Sequence, residues 1–185
     1  GIPPMVFLAE TLADRPNVTI LFEDFLRVEA ARLGGEARVV AANLPYSITT
    51  PVLFRFLDGE IPWKRIVVMV QAELAERIVA APDTAAFGAL SVAAQTAGKV
   101  SIVRRVPSGA FWPRPRVESA ILRIDPRPDA GSPRRLRPLL RAAFSSRRKT
   151  LRNALRSFPG AEDVLRRLAI DPGLRPERIG VEDWR

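Results

Sequence analysis

The run Ile66-Val67-Val68-Met69-Val70 constrains this chain most. It is continuously apolar and mostly β-branched, as expected for a strand covered on both faces, the kind found in parallel sheets. Around it, strand-like and helix-like patterns alternate. Met5 to Ala13 reads as a helix, Val18 to Phe22 as a strand, Glu29 to Leu33 as a short helix stopped by Gly34-Gly35, and Arg38 to Ala42 as a strand. Thr50 to Leu57 is helical, with Pro51 in its first turn. Gln71 to Ala81 and Phe87 to Ala97 read as helices, and Val100 to Val106 and Val117 to Ile124 as strands. The alternation predicts an α/β sheet with helices on both faces. Ligands in such sheets sit beyond the carboxyl ends of the strands, where Asp24 and Asn43 are expected to fall.

Pro126 to Pro133 is a linker by composition, and the sequence beyond it is helical in pattern. Leu136, Leu139, Leu140, Ala143 and Phe144 make one apolar face, while Leu151, Ala154, Leu155 and Phe158 make another that Ser145 or Ser146 can cap. The expected organisation is therefore a sheet domain over 1–125, a linker over 126–133 and a helical domain over 134–185.

Composition removes whole classes of chemistry. There is no cysteine and no histidine, so disulfides, thiolate or imidazole metal sites and serine–histidine catalysis are excluded. No metal is expected. No apolar run approaches the roughly 20 residues of a membrane helix, so no membrane partner is expected either. The net charge of +9 is unevenly placed. Residues 126–185 hold 15 Lys and Arg against 7 Asp and Glu, whereas residues 1–125 hold 14 against 13. A basic last third suits a polyanion, although arginine-rich composition and general solubility give the same sign.

Asn43-Leu44-Pro45-Tyr46, directly after a strand, is the sharpest motif. An adenine amino group is a poor nucleophile, because its lone pair is delocalised into the ring. The Asn43 side-chain oxygen and the Leu44 carbonyl, set before a stiff proline, can accept its hydrogens and aim its nitrogen. Tyr46 offers a flat face to an unstacked base. The plainer alternative is a strand-ending turn. In Phe111-Trp112-Pro113-Arg114-Pro115-Arg116-Val117-Glu118-Ser119, Phe111 can close the other face of the same base, with Arg114 and Arg116 meeting flanking phosphates; alternatively the segment is a rigid connector with core aromatics. Asp24, followed by Phe25, can accept a hydrogen bond from a cofactor's adenine, or simply cap a helix. Arg147, Arg148 and Lys149 with Arg152 and Arg156 read as a phosphate-tracking helix or as a solvated face.

These segments resemble the small-subunit ribosomal RNA adenine dimethyltransferases. The matching stretches are NLPYSITTPVLFRFL, VMVQAELAERIVAAP, AFGALSVAAQ, VPSGAFWPRPRVESAILRI and AAFSSRRKTLRNAL, in the family's order and spacing. The resemblance implies a Rossmann-like class I methyltransferase domain followed by a small helical domain that grips RNA. It implies transfer of methyl groups from S-adenosylmethionine to two adjacent adenosines near the 3′ end of small-subunit RNA, in the cytoplasm, by a monomer acting on the immature subunit. It assigns catalysis to Asn43, Leu44, Pro45, Tyr46 and Phe111, and cofactor contacts to Asp24, Phe25 and Asn43. RNA contacts fall to Arg114, Arg116, Arg147, Arg148, Lys149, Arg152 and Arg156.

One departure from the family pattern shapes the expectation. The family's first two strands and glycine-rich cofactor loop have no counterpart in this sequence, and Gly34-Gly35 lies too late to substitute. The chain is therefore expected to be an incomplete copy, weak or inactive alone, probed by titration with S-adenosylmethionine. A related alternative is a resistance methylase acting on large-subunit RNA. An alternative from another class is a non-catalytic RNA-binding or assembly factor.

Overall fold

The computed structural model describes residues 4–33, 39–58, 60–127, 133–146 and 148–185. They fall into two compact units, residues 1–34 and 35–185. The first contains helix α1 (Pro4–Leu12) and a 3-10 turn over Ala30–Leu33. The segment 18–22, expected as a strand, is not one. A strand exists through its ladder, and these residues have no ladder partner among the described residues.

The second unit is built on a four-stranded sheet in the order β1-β2-β4-β3. Its strands are β1 (Val39–Asn43), β2 (Arg65–Gln71), β3 (Gly98–Val106) and β4 (Ser119–Pro126). β1 and β2 run parallel, with Asn43 beside Met69. β2 and β4 run antiparallel, with Gln71 opposite Ser119, and β3 pairs with β4 so that Val106 also meets Ser119. Asn43, Gln71, Val106 and Ser119 therefore lie along one end of the sheet.

The apolar run of β2 does form the buried strand, but its two faces differ. Ile66, Val68 and Val70 are wholly buried, whereas Val67 and Met69 are only half-buried. Ala120, Leu122 and Ile124 of β4 extend the buried face. In this unit's helix layer, α4 (Ala89–Ala97) touches α2 (Thr49–Leu57), α3 (Ala72–Val79) and α5 (Pro133–Ala143), and α3 and α4 touch the sheet.

The helical end shares a core with this layer. Phe87, Val92 and Ala93 pack in one cluster with Leu140, Ala143, Leu151, Leu155, Leu165, Ile179 and Trp184. The expected linker falls largely on residues 128–132, outside the described residues. On the near side of it, Arg137 of α5 lies over the Phe54 ring at 4.7 Å and reaches the Asp58 carboxylate at 2.9 Å. Burial pushes the Asp58 carboxyl up against the opposing pull of Arg137.

Two features fix the far end of the sheet. Gly98 passes so close to the neighbouring strand that a Cβ there would lie 2.3 Å from the Asp125 carbonyl oxygen, which only glycine avoids. Asp125 accepts hydrogen bonds from Arg65 Nε and Arg123 Nε, each at 2.7 Å. The Arg65 bond, helped by Arg123, holds its carboxyl below the ordinary value despite some desolvation. A carboxyl depressed on folding stabilises the fold above its unfolded pKa, and that contribution is lost as pH falls through the folded value. Asp125→Asn is expected to lower stability near neutral pH, with the deficit shrinking below about pH 4. Urea unfolding on both sides of that pH is the check; a deficit independent of pH would contradict it.

Candidate active site

The sheet end that gathers Asn43, Gln71, Val106 and Ser119 also carries the two sequence motifs. The chain leaves β1 at Asn43 and turns at Leu44-Pro45 into a 3-10 turn over Tyr46–Ile48, which leads into α2. The Leu44 amide donates to the Met69 carbonyl at 3.2 Å, extending the β1–β2 contact past the strand. Thr49 Oγ, buried, donates to the Pro45 carbonyl at 2.9 Å and clamps the turn from below. The segment 107–118 joins β3 to β4 at the same end.

Asn43, Leu44, Pro45, Tyr46 and Phe111 line one open cleft of about 340 Å³, together with Met69, Trp112, Pro113 and Pro115. Tyr46, the only tyrosine in the chain, is 40% exposed, and Phe111 is half-buried. Both aromatic side chains are thus accessible on a common space rather than sealed in the core. The Tyr46 hydroxyl lies 2.9 Å from Ser119 Oγ, and that serine is buried. The hydrogen bond ties the far edge of the Tyr46 ring to the start of β4.

The acceptors in this cleft are unspent. Neither the Asn43 side chain nor the Leu44 carbonyl engages in a hydrogen bond among the described residues. Both residues line the cleft in company with aromatic and proline residues and Met69. Among the described residues, the lining contains no carboxylate and no lysine or arginine. The site can therefore receive a flat, apolar-faced group carrying hydrogen-bond donors, and it has no strong base of its own.

The other sequence-derived candidates distribute differently. The Asp24 Oδ1 accepts the Leu26 amide at 3.0 Å, and Arg27 lies 3.6 Å from the carboxylate. Asp24 thus shapes a local turn, and it does not end a strand; it belongs to the first unit, as does the half-buried Phe25. Arg114 Nε donates to Ser108 Oγ at 2.9 Å, and both Arg114 and Arg116 are exposed.

Arg148, Arg152 and Arg156 do not line one helix. Helix α6 covers only Leu151–Ala154, with Thr150 rather than Ser145 or Ser146 preceding it. Pro159 disfavours helical geometry just before it, and Gly160 turns with φ of 75° into α7 (Ala161–Arg167). Ser145 Oγ donates instead to the Ala142 carbonyl at the end of α5. Arg152 lies 3.2 Å from Glu162, while Arg148, Lys149 and Arg156 are exposed and have no carboxylate partner among the described residues. Arg147 lies outside the described residues. A larger cavity of about 470 Å³ sits between α6 and α7, lined by Arg152, Arg156, Glu162 and Asp163. Its lining holds one aromatic residue, Phe158, where the cleft beside Asn43 holds three.

Sequence reasoning missed Ser119 and Met69 as parts of the site. Ser119 closes the second motif, but only the β2–β4 register brings it beneath Tyr46.

A sheet in this order, with its ligand-facing cleft at the strand ends, has the Rossmann-like class I methyltransferase fold. A solved dimethyladenosine transferase from Plasmodium falciparum superposes with a TM-score of 0.79 at 24% identity, covering 97% of this chain and 74% of that one. Residues 5–179 match the ribosomal RNA adenine dimethylase family, and the chain belongs to it. It is 43% identical over 192 residues to the ribosomal RNA small subunit methyltransferase A of Anaeromyxobacter dehalogenans, covering 94% of this chain and 67% of that protein. It is 37% identical over 188 residues to that of Erythrobacter litoralis, covering 99% and 66%. The chain thus spans about two thirds of the length of these curated relatives.

Ser119→Ala removes the partner of the Tyr46 hydroxyl and is expected to cost about 0.5–1.5 kcal/mol of stability. In a double-mutant cycle, Tyr46→Phe should cost less in the Ser119→Ala background than alone. Strict additivity in denaturant titrations would mean that the bond contributes nothing.

Proposed function

We propose that this chain carries the catalytic cleft of an enzyme that methylates adenine amino nitrogens in small-subunit ribosomal RNA. The observation that carries the reading is the pair of unengaged acceptors, Asn43 Oδ1 and the Leu44 carbonyl, in one cleft with Tyr46 and Phe111. An unpaired adenine held between the two rings presents its amino hydrogens to those oxygens. Accepting them draws electron density toward the nitrogen and fixes its direction of attack. With no strong base in the cleft lining, the displaced proton leaves to water. Pro45 and the Thr49 clamp keep the Leu44 oxygen in place, so little ordering remains to be done when the base arrives.

S-adenosylmethionine, when bound, supplies an electrophilic methyl group. In the first unit, the exposed Asp24 carboxylate fits an adenine amino group of that cofactor, with Phe25 next to it in the chain. Oδ1 of Asp24 already accepts the Leu26 amide and Oδ2 lies 3.6 Å from Arg27 Nε, so accepting that amino group requires Oδ2 to be shared with, or released by, Arg27.

The RNA grip in this reading is spread over the basic helical end and the segment 107–118. Arg114, Arg116, Arg148, Lys149 and Arg156 are available to phosphates, whereas Arg152 must first leave Glu162. The charge excess of residues 126–185 supports that placement.

In a version of the chain that also carries the family's glycine-rich cofactor loop, Tyr46→Ala is expected to cut turnover about ten- to a hundredfold while changing RNA affinity much less, because stacking of the extruded base acts at the reactive step. Single-turnover methylation and RNA binding measured in parallel test this; equal losses in both would contradict the assignment. Structured RNA that binds while calorimetry detects no heat with S-adenosylmethionine would leave only an RNA-binding module. Replacing Arg148 and Arg156 with Ala should flatten the salt dependence of RNA binding by roughly 0.7–0.9 log units for each phosphate no longer neutralised. Arg152→Ala should do less. An unchanged slope in all variants would place the grip elsewhere.

A further inference from the structure

Trp112 is left unused by the catalytic reading. It is 97% exposed, more so than any other large apolar side chain among the described residues. The fold gains almost nothing from so open an indole. The backbone at Phe111 is extended, with φ of −121° and ψ of 150°. Phe111 is half-buried, whereas Trp112 stands open to solvent. Both nonetheless line the same cleft as Asn43 and Tyr46. Pro113 and Pro115 restrict the backbone immediately beyond, so the indole is presented from a stiff segment. Arg114 and Arg116, both exposed, follow it without a carboxylate partner among the described residues.

Extruding one base from a strand uncovers a face of its neighbour, and the missing stacking must be replaced or left to water. An indole at the rim of the cleft supplies the replacement surface. We propose that Trp112 is a second base-stacking surface, taking the nucleobase next to the one received between Tyr46 and Phe111. This rests on the adenine reading of the cleft and extends it by one nucleotide. Every base has a π-face, so Trp112 contributes affinity and register along the strand more than base identity. The two nearby arginines meet the phosphates on either side of that nucleotide.

The test uses the full chain and a short RNA hairpin with an unpaired adenosine, alongside copies made abasic at that position or at either neighbour. With the wild type, one of the two neighbouring abasic sites should weaken binding about tenfold, the size of one base–aromatic stack. With W112A that penalty should vanish, and with W112F it should be intermediate. The intact hairpin should also shield Trp112 emission from acrylamide, and the abasic copy should not. Trp112 is too exposed for W112A to endanger folding. An undiminished neighbouring penalty in W112A overturns the proposal. The adenine assignment of the cleft fails separately, if 2-aminopurine placed at the target position gives the same fluorescence when bound to wild type and to Tyr46→Ala.

Discussion

The pairing of β2 with β4 is the constraint on which the rest of the molecule depends. Gln71 opposite Ser119 places the last residue of one strand against the first of the other, and β1 runs parallel to β2 with Asn43 beside Met69. Strand ends therefore coincide at one rim. A slip of one residue would turn Ser119 to the other face and part it from the Tyr46 hydroxyl. The same slip would turn Ala120, Leu122 and Ile124 of β4 away from the buried face. Core and site are thus set by one ladder, and neither can be moved without the other.

The helical end is bound to this sheet unit by two kinds of contact. Leu140 and Ala143 of α5 enter the same apolar cluster as Val92 and Ala93 of α4. Beside them, Arg137 covers the Phe54 ring and meets Asp58. Apolar burial gives the attachment its strength, and the charged pair gives it direction, since a guanidinium must be aimed to reach a carboxylate. Arg148, Lys149, Arg152 and Arg156 thus belong to the same compact unit as the sheet.

Much of this was legible in the sequence. Continuous or alternating apolar patterns marked β1 to β4, and the four-residue spacing marked α2 to α5, because periodicity reports which side faces a core. Asn43 to Tyr46 and Phe111 were legible as a candidate site, because the chemistry read from them is local to two short motifs, and they line one cleft. What periodicity cannot report is a partner. Val18 to Phe22 has strand composition but no neighbouring ladder among the described residues, and Asp24 shapes a local turn rather than ending a strand. The arginines at 148, 152 and 156 are evenly spaced in sequence, yet α6 stops at Ala154 ahead of the Pro159-Gly160 turn. Glu162 then claims Arg152 from α7. Ser119 was hidden for the same reason, because its role is made by a strand that pairs from far along the chain.

The two unspent oxygens beside Pro45 have a consequence for which purine the cleft can hold. In the adenine reading proposed above, guanine would present a carbonyl where adenine presents its amino group, so lone pairs would face lone pairs at the Leu44 oxygen, whereas Asn43 could turn its side-chain amide to donate. The Leu44 oxygen could then not recover the water it gave up, and such an unsatisfied group costs about 1–3 kcal/mol. On that reading, refusal of guanine would be written into a peptide bond, which no side-chain substitution can erase.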